Sequence, residues 1–219
     1  TMTEMLTRPD HNPSIFICAD HGLAVIYFLQ SDVLPALLDA GIQVVVLTDD
    51  ALVEGIRQRF ARPGMAVEGL RLKQAAQYAA QTHPEIQWWL GFLRRVGSSG
   101  KINTEAQDAY VAQVAVEEGW KRRIWMPLAR LYIHGLRRSR RLRQGLVNFQ
   151  QRFTPGLYHD LFERYQPDLV VASTHGWRLD RYLLREAAAH RIRTAAAIVG
   201  WDNPSSYGLR GSPVDTITC

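Results

Sequence analysis

The stretch SIFICADHGLAVIYFLQSDVLPALLDAGIQVVVLTDD, residues 14–50, decides the predicted fold. Two short apolar runs, residues 14–19 and 43–48, enclose a helical pattern over residues 23–40 that ends at Gly41. The second run is apolar on both faces, which is typical of a strand in a parallel sheet that helices cover on both sides. The stretch therefore predicts a β-α-β unit.

The same alternation continues along the chain, with an interruption in the middle. Asp49 and Asp50 supply N-cap chemistry for a helix that runs to about Phe60. Further strands are predicted at residues 65–70, 168–173, 194–199 and 215–219, and further helices at residues 155–165 and 178–190. The middle of the chain shows only helical patterns, at residues 74–81, 84–95, 104–123 and 127–150, the last with Pro127 in its first turn.

Together these patterns predict an α/β fold. We expect a doubly wound, Rossmann-like parallel sheet of about six strands in the order 3-2-1-4-5-6, with a helical insertion at about residues 74–150 between strands 3 and 4. Residues 1–13 are interpreted as a tail and residues 14–219 as one domain. Because a strand at the end of the chain leaves the sheet uncovered, we expect the native protein to continue into a C-terminal domain.

Composition limits the class of protein. The 219 residues are 47% apolar and 21% charged, which is ordinary for a globular chain. No apolar run approaches the roughly 18 residues of a spanning helix, and the N-terminus lacks the features of a signal peptide. Two cysteines, Cys18 and Cys219, are too few for a disulfide framework. We therefore expect a cytoplasmic protein with reduced thiols.

The net charge of +5 is concentrated in one segment. Residues 119–159 contain ten Lys and Arg and no Asp or Glu, whereas the rest of the chain carries 16 cations against 21 acidic residues. Any anionic partner is therefore expected to meet the protein at this segment.

The basic segment predicts an amphipathic helix that begins at Pro127. One face carries Arg130, His134, Arg137 and Arg141, and the other carries Leu128, Ala129, Tyr132, Leu136 and Val147. Such a helix can lie on an anionic membrane surface, with Arg130, Arg137 and Arg141 as the membrane- or anion-binding residues. The alternative is a helix packed by its apolar side, with its arginines in water. No nucleic acid partner is expected, because no aromatic residues interleave the basic face.

Polar and aromatic residues follow three of the predicted strands. In an open parallel sheet, ligands bind outside the carboxyl ends of the strands, near the switch point between strands 1 and 4. The candidates after strands 1, 4 and 5 are Asp20, His21 and Gly22; Thr174, His175 and Gly176; and Trp201, Asp202 and Asn203. We expect the three loops to form one wall of a site.

His21 is the candidate catalytic base. It lies at a predicted helix start, where the helix dipole favours the neutral imidazole, and Asp20 or Asp202 would orient it. The alternative is a histidine that caps the helix or anchors the loop. The chain lacks G-x-G-x-x-G, P-loop and G-x-S-x-G sequences and any recognisable metal-ligand spacing, so neither a dinucleotide cofactor nor a metal is expected.

The other candidates have binding roles, each with a simple structural alternative. Gly22 lets a ligand approach the backbone closely, although tight turns use glycine anyway. His175 is a ligand contact or bonds a neighbouring carbonyl. Asp202 and Asn203 suit sugar hydroxyls, and Trp201 offers a stacking face. The alternative there is an Asx turn before a proline, with the indole packed inward.

Residues 14–50, together with DLVVASTHGWRLDRYLLREAAAHRIRTAAAIVGWDNPSSYG at residues 168–208, resemble the N-terminal domain of GT-B-type glycosyltransferases. This is the UDP-glycosyltransferase and glycogen phosphorylase-like class, and the resemblance is to its bacterial members that assemble cell-surface polysaccharides or glycolipids. The resemblance covers both Rossmann-like halves but not the helical middle. It implies an acceptor-binding domain, with the nucleotide-sugar held by a C-terminal domain and no metal required.

The resemblance also implies roles for the residues after strand 1. In several inverting members a histidine or acid at this position is the general base, which maps to His21, with Asp20 as the second choice. The acceptor would be a sugar or a lipid-linked sugar, and this chain by itself is expected to fold without turning over. The alternatives are a UDP-sugar 2-epimerase or a glycerophosphotransferase of the same architecture, or a non-catalytic module that docks on a membrane or partner.

Overall fold

The computed structural model describes residues 12–198 and 208–218, which divide into two compact units. The sheet unit comprises residues 12–78, 154–198 and 212–218, and the helical unit comprises residues 79–153 and 208–211. No single helix in the described residues is both long and apolar enough to cross a bilayer.

Six parallel strands form the sheet, and their order confirms the predicted one. The strands are β1 (Ser14–Cys18), β2 (Gln43–Thr48), β3 (Met65–Gly69), β4 (Leu169–Ala172), β5 (Arg193–Ala197) and β6 (Thr216–Thr218). Hydrogen bonds place them in the order β3-β2-β1-β4-β5-β6. Strand β1 lies at the switch point, with Phe16 opposite Val45 of β2 on one side and Val170 of β4 on the other.

In the sheet unit, helices cover both faces of the sheet, and further helices form the helical unit. The helices are α1 (Gly22–Val25), a π-helical turn (Ile26–Gln30), α2 (Val33–Asp39), α3 (Val53–Phe60), α4 (Leu72–Gln81), α5 (Pro84–Val96), α6 (Glu105–Glu117), α7 (Trp120–Arg138), α8 (Arg140–Gln150), α9 (His159–Tyr165) and α10 (Arg181–Ala189). Alternate β1 residues enter opposite cores: Phe16 packs in the cluster that contains Leu183 of α10, and Ile17 packs in the cluster that contains Leu34 of α2. The two-sided apolar strands are therefore buried on both faces.

The single helix predicted over residues 23–40 is wrong, because the segment is broken into α1, the π-helical turn and α2. Pro35 lacks an amide hydrogen, so it cannot donate to the carbonyl four residues earlier. The Ser31 hydroxyl replaces regular helical bonding there, since it donates to the Tyr27 carbonyl at 2.5 Å and accepts from the Val33 amide at 3.3 Å.

The predicted capping by Asp50 is also wrong, because this carboxylate binds a different helix. Helix α3 begins at Val53, and Asp50 instead accepts from the backbone amides of Arg71 at 3.0 Å and Leu72 at 2.7 Å, at the start of α4. A Cβ atom at Gly69 would lie 2.2 Å from the Asp50 carboxylate, so a larger residue there would displace this side chain.

The predicted start of the helix over residues 155–165 is wrong, because the helix begins only at His159. A carboxylate again binds backbone amides here. The Leu157 and Tyr158 amides donate to the Glu186 carboxylate at 2.5 and 2.8 Å, and these bonds hold the chain outside a helix.

In the helical unit, the predicted helix start at Pro127 is wrong. Helix α7 begins at Trp120, after Gly119 in an extended conformation, so Pro127 lies inside the helix. The helix ends at Arg138, and the Ser139 hydroxyl accepts from the Leu142 amide at 3.3 Å to cap α8. The predicted helix over residues 104–123 likewise divides, because α6 ends at Glu117.

Candidate functional site

The ends of β1 and β4 bring two predicted loops together. These strands pair in parallel, with Cys18 opposite Ala172, so the residues that follow each strand leave the sheet at the same edge. Asp20 and His21 follow β1, and Ser173 and Thr174 follow β4. The candidate site is therefore built at the switch point of the sheet.

The Asp20 carboxylate is the centre of this site. Its side chain is fully buried, which leaves a negative charge that the protein must satisfy internally. Oδ1 accepts from Ser173 Oγ at 2.9 Å and lies 2.6 Å from Nδ1 of His21. Oδ2 accepts from the Leu179 amide at 3.4 Å and lies 3.7 Å from Nε of Arg178. Hydrogen bonds and one nearby cation therefore hold the carboxylate in place.

The carboxylate fixes the orientation of the His21 imidazole. In the neutral imidazole, the contact with the Asp20 carboxylate places the proton on Nδ1 and leaves Nε2 with a lone pair. Within residues 12–198 and 208–218, Nε2 has no hydrogen-bond partner, and the side chain is 20% exposed. His21 is therefore placed to accept a proton from a bound molecule.

His21 contributes its backbone, not its imidazole, to the start of α1. The residue is extended, with φ −158° and ψ 166°, and its side chain makes no capping hydrogen bond. Its carbonyl accepts from the Val25 amide at 3.0 Å. The imidazole is thus available for the contact with Asp20.

Ser173 positions Asp20 and is not arranged as a nucleophile. Its hydroxyl is buried and donates to the carboxylate, while its distance to Nδ1 of His21 is 3.4 Å. A Ser-His-Asp catalytic triad needs the serine at Nε2, on the other side of the ring. The three residue types are present, but their connectivity differs from that of a serine hydrolase.

A second buried carboxylate, Asp180, organises the loop after β4. It accepts from Thr174 Oγ1 at 2.6 Å, from the Gly176 amide at 3.3 Å and from the Arg178 amide at 3.2 Å. Burial raises the pKa of Asp180, and the nearby negative charge of Asp20 raises it further, whereas these hydrogen bonds act in the opposite direction. Gly176 has φ +84°, a conformation that favours glycine.

The structure gives the predicted binding residues different surroundings. Gly22 is exposed, with open space where a Cβ would lie, so the fold does not require glycine there. The Thr174 hydroxyl is used within the loop, where it also accepts from the Trp177 amide at 3.0 Å. His175 is buried. The predicted residues Trp201, Asp202 and Asn203 lie outside the described residues.

Sequence reasoning missed Ser173, Arg178 and Asp180. Ser173 is the last residue of the predicted fourth strand, and Asp180 lies in the first turn of the helix predicted at residues 178–190. The sequence therefore places both residues beside the predicted site, at the end of a strand and the start of a helix. The contacts of Ser173 and Arg178 with Asp20 depend instead on the pairing of β1 with β4.

The predicted basic face is not a single face. Arg130 and Arg137 belong to α7, but Arg141 belongs to α8 because the helix breaks at Ser139. Arg137 also forms an ion pair with Asp108 of α6 at 2.8 Å and is mostly buried.

The predicted inward packing of Leu128 and Tyr132 is wrong. These side chains are 57% and 38% exposed. Ala129 and Leu136, from the same predicted side, are buried, and Met126 and Ile133 complete the buried side of α7.

No group of three or more His, Cys, Asp or Glu side chains in the described part of the chain is arranged to hold a metal ion. A comparison of the chain with models of known protein families found no match, and a search of curated proteins found no similar sequence.

Proposed function

We propose that this chain is the acceptor-binding half of a GT-B glycosyltransferase, in which His21 is the general base. The reaction moves a sugar from a nucleotide-sugar to a hydroxyl of a cell-surface polysaccharide or glycolipid. The observation that carries the proposal is the 2.6 Å contact of His21 Nδ1 with the buried Asp20, which leaves Nε2 to accept a proton. The Rossmann-like sheet order and the sequence resemblance support the same class.

The proposed step begins when Nε2 of His21 removes the proton of the acceptor hydroxyl. The oxygen attacks the anomeric carbon of the donor and forms the new glycosidic bond. The bond between that carbon and the nucleotide diphosphate breaks, and the diphosphate leaves with the electron pair. Asp20 stabilises the imidazolium that forms, because its buried carboxylate lies directly on the other ring nitrogen.

Ser173 and Arg178 have supporting roles in this proposal. The serine hydroxyl fixes one carboxylate oxygen of Asp20, and the arginine lies beside the other. Their contacts hold the carboxylate in the orientation in which it contacts Nδ1 of His21. Ser173 forms no covalent intermediate, since its hydroxyl faces Asp20.

The test is turnover by the full-length protein with His21→Ala. Wild type is screened for release of nucleoside diphosphate from UDP- and GDP-sugars in the presence of glycan or glycolipid acceptors. We expect His21→Ala to lower kcat by about 10²- to 10⁴-fold, the usual contribution of a general base. The matched control is His159→Ala, whose side chain is 62% exposed, pairs with Glu163 and stacks on His190.

Two outcomes would overturn the proposal. Unchanged turnover of His21→Ala would place the base elsewhere. Interconversion of the nucleotide-sugar without any acceptor would instead identify the epimerase alternative.

A further inference from the structure

Helix α7 has two apolar faces, and only one of them is buried. The buried face consists of Met126, Ala129, Ile133 and Leu136. The opposite face carries an outer stripe, whose members lie three or four residues apart and are 57–68% exposed: Trp120, Ile124, Leu128 and Leu131. One apolar face is enough to attach a helix to a protein core. The outer stripe therefore has no role in holding the helical unit together.

An apolar groove adjoins the outer stripe and shares Leu128 and Leu131 with it. The groove has a volume of about 580 Å³. Its walls include Trp89 and Leu93 of α5, Trp125 and Tyr132 of α7, and Leu142 of α8. Together, the outer stripe and the groove expose aromatic and aliphatic side chains from three helices. Contiguous apolar surface of this kind marks an interaction site.

Exposed cations accompany this apolar surface. Arg123 and Arg130 lie seven residues apart on one flank of the outer stripe, and Lys121 and Arg138 lie near its two ends. Arg140 and Arg141 are exposed in the first turn of α8. In the part of the chain that the structure describes, none of these six cations forms an ion pair.

The nearby carboxylates do not neutralise these cations. Glu85 and Glu118 both pair with Arg122, at 3.0 and 2.7 Å, and Asp108 pairs with Arg137. Residues 119–159 contain no acidic side chain at all. The surface around the outer stripe therefore keeps its positive charge.

We propose that the outer stripe and the groove are a docking surface for an anionic lipid bilayer. Apolar side chains that enter the interface, with cations beside them that contact lipid phosphates, are the two components of an interfacial amphipathic helix. Trp120 and Trp125 suit the headgroup level, where indole rings concentrate. The inference concerns the helical unit alone and does not depend on the proposed reaction.

Charge favours a bilayer over a second copy of the chain. In a two-fold symmetric dimer the same surface meets itself, which would bring Arg123 and Arg130 of each copy close to those of the other. No acidic residues lie in this segment to pair with them. An anionic bilayer covers the apolar side chains and neutralises the cations at the same time.

The surface differs from the membrane face predicted from sequence. That prediction took Arg130, Arg137 and Arg141 as the membrane-contacting residues, and its alternative packed the apolar side of the helix inward. In the structure, Arg137 is engaged by Asp108, and Leu128 and Leu131 are exposed instead.

The experiment is co-sedimentation of the full chain with vesicles of phosphatidylcholine containing one-third phosphatidylglycerol. We expect binding to these vesicles and at least tenfold weaker binding to pure phosphatidylcholine. Trp120→Ser/Ile124→Ser/Leu131→Ser and Arg123→Glu/Arg130→Glu should each weaken binding at least tenfold. Because all five side chains are exposed, the variants should keep the wild-type circular dichroism spectrum.

Two controls each carry one change of the same type at an exposed position that belongs to neither the outer stripe nor the groove. Val116→Ser is the apolar control, at a side chain 76% exposed on α6, and Arg62→Glu is the charge control. Both should bind as wild type does. Absence of binding, or equal binding by the stripe variant, would overturn the proposal. If wild type does not bind vesicles but is a dimer in light scattering, and the stripe variant is a monomer, the surface is an interface between two copies of the chain.

Discussion

The hydroxyl of Ser173 donates to Oδ1 of Asp20 at 2.9 Å, although 153 residues separate the two in sequence. Asp20 follows β1 and Ser173 follows β4, the two strands at the switch point of the sheet. The residue that orients His21 is therefore itself oriented by the other half of the sheet. This relationship makes the proposed base sensitive to changes on both strands.

Asp20→Asn should abolish most of the proposed activity without unfolding the protein. The amide has no negative charge to stabilise the imidazolium, and an amide N–H facing Nδ1 would move the proton to Nε2. We expect kcat to fall by about 10²- to 10⁴-fold in the nucleoside diphosphate release assay. The control is Asp39→Asn, at an exposed position on α2. Wild-type kcat in Asp20→Asn would rule out the dyad.

Ser173→Ala should have a smaller effect, because it removes a positioning residue and leaves the base present. Loss of one hydrogen bond to a buried carboxylate should cost about 1–3 kcal/mol of unfolding free energy. We expect kcat to fall by about tenfold with little change in KM, since the loss acts on the alignment of His21 in the transition state. Recovery of kcat in Ser173→Thr would separate the hydroxyl from general packing. A rise in KM alone would argue for a substrate contact.

Because of the Arg71–Asp160 ion pair, the difference in unfolding free energy between wild type and Asp160→Asn should depend on pH. Hydrogen bonding to Arg71 lowers the pKa of Asp160, and the two groups are 2.6 Å apart. A lowered pKa means that the stabilisation is present above the unfolded-state value, about 3.9, and is lost as pH falls through the folded-state value. Asp160→Asn should cost at most about 1 kcal/mol near pH 7, because the carboxylate is 51% exposed. Urea unfolding at pH 7 and pH 2.5 should show this difference shrink, and a constant difference would refute the assignment.

Glu186→Ala should destabilise the fold strongly. The Glu186 carboxylate is buried and accepts from the amides of Leu157 and Tyr158, which would be left without partners. We expect a loss of about 2–4 kcal/mol in unfolding free energy, because one buried and one half-buried amide lose their acceptor. Glu186→Gln keeps one acceptor oxygen and should lose about half as much. Equal stability of the alanine variant and wild type would show that water replaces the carboxylate.

Gly69→Ala tests the capping role of Asp50. The added Cβ would lie 2.2 Å from the Asp50 carboxylate and displace it from the start of α4. We expect a loss of about 1–3 kcal/mol in unfolding free energy. Gly55→Ala is the control, because nothing lies within 4 Å of its Cβ position and the residue is inside helix α3. That substitution should be neutral or stabilise by up to about 1 kcal/mol.

The sheet could be predicted because its strands are encoded locally and their order follows from few rules. Residues 43–48 are apolar on both faces, and right-handed crossovers in an alternating chain leave little choice of order. Asp20 and His21 could be predicted as a pair for the same reason, since they are adjacent and directly follow a strand.

The helical unit could not be predicted as well, because periodicity does not say which of two apolar faces is buried. Leu128 and Ile133 are both apolar residues of α7, yet one is 57% exposed and the other 4% exposed. Packing against α5 and α6 makes that choice, and it is a long-range effect. The breaks at Ser31 and Ser139 were missed for a different reason, since single hydroxyls replace helical hydrogen bonds there.

The central place of β1 has a consequence for the order of folding. Its neighbour β2 is near in sequence, whereas β4 returns only after more than a hundred residues, and the Ser14 amide donates to Asp168 across 154 positions. Contacts that close such long loops form late in refolding. We expect pulsed hydrogen exchange to show early protection of amides shared by β1 and β2, with the Asp168 region protected afterwards. A half-assembled chain would thus contain His21 and Asp20 but not yet the alignment that makes them work together.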